Sequence, residues 1–107
     1  TIKEEPMASH RIETYCHRLT FPIGALIFSR GINRLFNAGR LDPIPYFRRH
    51  TRGDWGDVNV CQWHANGVAL QSGASLESHY VIHPGLAIRI ITDAGRSVTA
   101  IVLPSED

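Results

Sequence analysis

The chain has 107 residues, 43% of them apolar, and 11 Lys+Arg against 10 Asp+Glu leave a formal charge of +1. One domain of ordinary globular composition fits these values, which exclude a collagen-like, strongly disordered, heavily basic or two-domain protein. No run approaches the roughly 18 apolar residues of a membrane span, so no membrane partner is expected.

Two cysteines, Cys16 and Cys61, are too few for a disulfide framework, and no charged-then-apolar opening suggests secretion. The expected location is cytoplasmic, with both thiols reduced. Every basic residue except Lys3 is arginine, and the charge is uneven. Residues 28–52 hold six arginines against Asp42 alone, a net of +5, whereas residues 53–107 hold two arginines against six acids, a net of −4. A basic middle and an acidic end suit a second copy of the chain as readily as a nucleic acid.

In chain order, residues 1–18 are polar and aperiodic and read as an arm, with no role given to residues 1–9; residues 19–107 read as a single α+β domain. Leu19 to Phe28 is an apolar strand that Pro22 confines to a sheet edge. Ser29 caps a first helix with Ile32, Leu35 and Phe36 on one face, and Gly39 ends it. Asp42-Pro43 starts a second helix, with Ile44 and Phe47 inward, that stops before Gly53. Asn59 and Gln62 open a third, with Val60, Trp63, Gly67 and Leu70 as the expected buried stripe and Gly73 as the stop.

From Leu76 the period becomes two, giving strands Leu76–Ile82, Leu86–Thr92 and Arg96–Leu103. Three-residue loops, His83-Pro84-Gly85 and Asp93-Ala94-Gly95, each ending in a left-handed glycine, set the expected register. Tyr80 then faces Ile88, Ile82 faces Leu86, Ile88 faces Ala100 and Ile90 faces Val98. Leu76, Tyr80, Ile82, Leu86, Ile88, Ile90, Val98, Ala100 and Val102 become the helix-facing side. The expected architecture is an edge strand, three short helices, and a three-stranded antiparallel meander packed on the helices by one face.

The segments His50-Thr-Arg-Gly-Asp-Trp-Gly56, Leu76-Glu-Ser-His-Tyr80, Ile90-Ile-Thr-Asp-Ala-Gly-Arg-Ser-Val-Thr99 and Val102-Leu-Pro104 run in one order over about residues 21–104. They resemble a family of small bacterial proteins carried on plasmids and other mobile elements, whose pattern reads H-x-x-GDWG, LLSAY, then IxIITEADRSxTxxLLP. Glu77, His79 and Gly95 depart from it. The resemblance implies a mobile-element context and brings no catalytic residues with it.

Several constellations could carry function. On the outer sheet face the expected register aligns His79, Arg89 and Thr99 in a row at about 5 Å spacing, with Glu77 nearby. These residues could bind a small anionic ligand, or be only the solvated side of a half-buried sheet. Beside them Val81, Ala87, Ile101 and Leu103 form an apolar patch, the expected interface of a homo-oligomer through this face or its free edge. His50, Gly53, Asp54, Trp55 and Gly56 read as a structural turn, an imidazole–carboxylate dyad being the alternative. Arg48, Arg49 and Arg52, among Tyr46, Phe47 and Trp55, are the candidate nucleic-acid segment, not favoured because the whole chain is near neutral. Cys61 and His64 at i, i+3 lack the companion spacing of a zinc site, and His79 and His83 stand about 13 Å apart on a strand, so no metal or cofactor is expected. The preferred reading is a non-catalytic interaction module of a mobile bacterial element, followed by a nucleic-acid-binding accessory and then a small enzyme on His79 or on His50 and Asp54.

Overall fold

The computed structural model describes residues 21–106. The expected arm, with Cys16 and His17, lies outside them. The elements are β1 (Ala25–Phe28), α1 (Arg30–Asn37), α2 (Ile44–Thr51), α3 (Val60–Ser72), β2 (Leu76–His83), β3 (Leu86–Thr92), β4 (Val98–Val102) and a closing 3₁₀ turn (Pro104–Glu106). The class is α+β, as expected, but the sheet is four-stranded and mixed, in the order β1-β4-β3-β2. The meander β2-β3-β4 is present, and β1 extends it by pairing in parallel with β4, Ala25 beside Val98 and Phe28 beside Ile101.

The helix signals act where the sequence puts them. The Ser29 hydroxyl accepts from Ile32 N, the Asp42 carboxylate from Ile44 N and the Asn59 carbonyl from Gln62 N, each satisfying an amide left over at a helix start. Gly73 ends α3 in the left-handed conformation. The main core joins Ile32 of α1, Leu41 and Phe47 to Tyr80, Ile88, Ile90 and Ile101 of the sheet; a second joins Phe21, Trp55 and Ala69 to Leu76.

Three expectations are overturned. First, β4 is shifted by three residues against the expected register: Thr92 pairs with Thr99, Ile91 with Ala100 and Ile90 with Ile101. The turn is longer than three residues because the Asp93 carboxylate accepts from Ser97 N (2.8 Å), Ser97 Oγ (2.6 Å) and Val98 N (3.2 Å). Arg96, not Gly95, takes the left-handed position, and its guanidinium donates to Ala69 O and Ala74 O. An odd shift turns every β4 side chain over. Thr99 and Ile101 therefore face the helices and are fully buried, while Val98, Ala100 and Val102 face outward.

Second, the turn after β2 is the pair Pro84-Gly85, with a bulge between Val81 and His83, so His83 and not Ile82 stands opposite Leu86. Third, α3 is rotated relative to its expected stripe. Val60 is 85% exposed, Trp63 is 44% exposed and Gly67 faces open space, whereas Asn66 and Ala69 are buried. The cause is polar. Asn66 Nδ2 donates to Glu77 O and its Oδ1 accepts from Glu77 N, so its carboxamide imitates a neighbouring strand.

Candidate functional site

The inner sheet face carries an unusual set of polar side chains, centred on His50. His50 Nδ1 lies 2.5 Å from Ser78 Oγ and Nε2 lies 2.9 Å from Thr92 Oγ1, which lies 2.8 Å from Thr99 Oγ1. The Thr99 hydroxyl donates to Ile23 O at 2.8 Å. That carbonyl can only accept, so the donors are fixed in turn: Thr99 to Ile23, Thr92 to Thr99, His50 Nε2–H to Thr92, and Ser78 to His50 Nδ1. The histidine is thereby specified as the neutral Nε2–H tautomer. Burial, with a lesser contribution from the Arg96 charge, lowers its pKa from 6.5 to about 3. Phe21 and Trp55 present ring edges to it.

His50 is thus a core residue of α2 and not part of the following turn, and it forms no dyad with Asp54. Asp54 instead takes Arg49 Nε at 2.8 Å and Nη2 at 3.3 Å, and it accepts from Gly56 N. The guanidinium bond, ahead of the amide bond, holds the Asp54 carboxyl below its usual range. Gly53 and Gly56 both take positive φ, and Trp55 is buried between them. A Cβ on Gly56 would collide with His79 O and the Tyr80 ring, so only glycine lets this turn approach β2. The Tyr80 hydroxyl donates to Asp54 O at 2.6 Å, and burial raises its pKa.

That close approach seals one edge of the sheet. Along β2, Asn66 satisfies both backbone groups of Glu77, Trp55 O accepts from His79 N, Asp57 N donates to His79 O, and Asp57 Oδ2 accepts from Val81 N. An edge occupied group by group offers no template for another strand. Strand addition at β2 finds the backbone groups of Glu77 and His79 and the Val81 amide already engaged, whereas the opposite edge of the sheet is β1.

The outer sheet face is different. The flip of β4 places Val98, Ala100 and Val102 beside Ala87 and Ile91 of β3, Ile27 of β1 and Val81 of β2. Ile27 is 47% exposed and Val81 54%; the central five are half-buried, as neighbours on a pleated surface must be. The sequence reading placed Ile101 and Leu103 on this patch. Ile101 is instead in the core and Leu103 packs against the core from the inner side. Three of the four proposed ligand-binding residues do meet on the outer face. His79 stands across from Arg89, and Arg89 Nε and Nη2 lie 2.9 Å and 2.8 Å from Glu77 Oε2. Thr99, the fourth, is on the opposite face in the histidine relay.

Val98, Ala100 and Val102 were missed as surface residues because three-residue loop geometry was assumed for a turn that Asp93 lengthens. The available signal was Asp93 followed four residues later by Ser97, a pair able to close a longer turn through side-chain bonds. Elsewhere, Arg48 and Arg52 are exposed on the helix layer, whereas Arg49 is held by Asp54 and lies 4.8 Å over the Tyr80 ring. A shallow groove over α3 is lined by Trp63, His64, Gly67 and Val68. Among the described residues no three His, Cys, Asp or Glu side chains cluster as metal ligands, and no helix is long and apolar enough to cross a membrane. No family model, curated protein or solved structure matches the chain.

Proposed function

We propose that this protein is a non-catalytic interaction module that self-associates by packing the outer face of its sheet against that of a second copy. The observation that carries the reading is the composition of that face: Ile27, Val81, Ala87, Ile91, Val98, Ala100 and Val102 surround one ion pair. Contiguous apolar surface of this kind is rarely left to water on a monomer. Ala100 lies near its middle, between Ile27 and Ile91, where a small side chain lets two sheets approach to the roughly 10 Å of face-to-face packing, while Ala87 and Val81 lie at its hairpin end. The occupied β2 edge steers association away from strand addition at that edge.

The mobile-element context implied by the GDWG and ITDAGRS segments belongs to the same proposal, as does a cytoplasmic setting. A catalytic role for His50 fits less well, since both ring nitrogens are engaged and solvent does not reach the ring. Sizing chromatography of the full chain over a concentration series tests the reading. A dimer that Val98→Glu with Val102→Glu converts to a folded monomer is expected; a monomer at every usable concentration overturns it.

A further inference from the structure

Away from the sheet's outer face, the helix layer presents a surface of opposite chemistry. On α1 the residues Arg30, Asn33, Arg34 and Asn37 follow the i, i+3, i+4, i+7 spacing, and all four are exposed. At 100° per residue they occupy an arc turned away from Ile32 and Leu35, which pack into the core. On α2, Arg48 and the following cap residue Arg52 repeat the i, i+4 arginine pair and are also exposed. Both helices contribute to the main core on the same side of the sheet, Ile32 from α1 and Phe47 from α2.

These four arginines have no ion-pair partner among the described residues, in contrast to Arg49 and Arg89. The acid at the start of α1, Glu106, accepts from Ser29 Oγ, Gly31 N (2.8 Å) and Leu103 N (3.0 Å), and the Arg34 charge acts on it without a direct ion pair. We infer that the α1–α2 layer is a nucleic-acid-binding surface, with Arg30, Arg34, Arg48 and Arg52 holding backbone phosphates and Asn33 and Asn37 hydrogen-bonding between them. Guanidinium groups match phosphate in a fork that ammonium groups do not. Carboxamides add donors and acceptors suited to phosphate, sugar or base edges. Phe36, 44% exposed on α1, lies beside this stripe with its ring against Phe28, so a lipid surface is the alternative that the vesicle arm of the test distinguishes. A balanced total charge does not oppose this, because the acids lie mostly in the C-terminal half of the sequence.

The test is fluorescence anisotropy of the full chain with a labelled DNA duplex of about 20 bp and with its single strand, between about 50 and 200 mM salt. Binding to either form is expected, weakening with salt at a log–log slope of about −3 to −4 for four engaged phosphates. Replacing Arg30, Arg34, Arg48 and Arg52 together by Gln should lower affinity at least about tenfold at the lowest salt and flatten the slope. Gln71→Ala, exposed on α3 outside both surfaces, should leave affinity unchanged. Circular dichroism checks the fold; if the fourfold variant fails it, the pairs Arg30→Gln/Arg34→Gln and Arg48→Gln/Arg52→Gln replace it, each expected to lose part of the affinity. No binding at the lowest salt overturns the inference. So does equal loss in Gln71→Ala, or binding only to phosphatidylserine vesicles or to poly-glutamate. A monomeric outer-face variant should still bind, which separates this surface from self-association.

Discussion

The two faces of the sheet handle their polar groups differently, although the inner one is mostly apolar core. Toward the helices lie His50, Ser78, Thr92 and Thr99, fully buried and joined in a single direction of proton donation that ends on Ile23 O. Away from the helices lie valines, isoleucines and alanines with one ion pair. Burying hydroxyls and an imidazole is tolerable only when every group finds a partner, and here the relay supplies them. Exposing an apolar face is tolerable only if something covers it. The contrast teaches that burial of the inner face is complete within one chain, whereas the outer face is the one that the proposed self-association would cover.

The contrast is broken most severely at Ile101, the residue that the register shift moved inward. Ile101→Ala should destabilise the fold by about 2–5 kcal/mol in urea unfolding, whereas Val102→Thr, one residue on, should change it by less than about 0.5 kcal/mol at dilutions where the chain is monomeric. Next comes the relay. His50→Leu leaves the Ser78 hydroxyl without an acceptor and Thr92 without a donor, and should cost about 2–4 kcal/mol by the same measurement.

A third test uses pH. His50 takes up a proton near 6.5 when unfolded but only near 3 when folded. Between those values the unfolded state binds more protons, so the contribution of His50 is complete above 6.5 and is lost as pH falls toward 3. Stability should decline at up to about 1.4 kcal/mol per pH unit below pH 6, a slope that His50→Gln removes. Read between about pH 6 and 5, it falls above the range in which carboxylates of the unfolded chain take up protons. A small effect is also expected for the ion pair of the outer face: Glu77→Gln, which removes the charge facing Arg89, should alter monomer stability by less than about 1 kcal/mol.

The sequence made the helix caps, the strand count of the meander and most of the first hairpin legible, because each rests on local chemistry. The second hairpin was not legible from alternation. From Val98 to Leu103 both parities are largely apolar: Val98, Ala100 and Val102 on one, Ile101 and Leu103 on the other, so either register sorts the side chains plausibly. Only the side chain of Asp93 decides, and it does so through bonds to residues not adjacent to it. The orientation of α3 was hidden for a related reason. Apolar residues lie all around that helix, and Asn66, a residue that reads as surface, is buried by pairing with strand backbone. Of the candidate site, Glu77, His79 and Arg89 were placed together correctly, while Thr99 and Ile101 went to the wrong face with the register.

The outer face can be read directly by isotope-filtered NMR on an equal mixture of ¹³C-methyl-labelled and unlabelled chain. If copies pack sheet to sheet, intermolecular NOEs will connect methyl groups of Ala87, Ile91, Val98, Ala100 and Val102 across the dimer. An associated sample whose intermolecular NOEs fall on other surfaces, such as Trp63 and Val68 of α3, would contradict it, as would a sample that shows none.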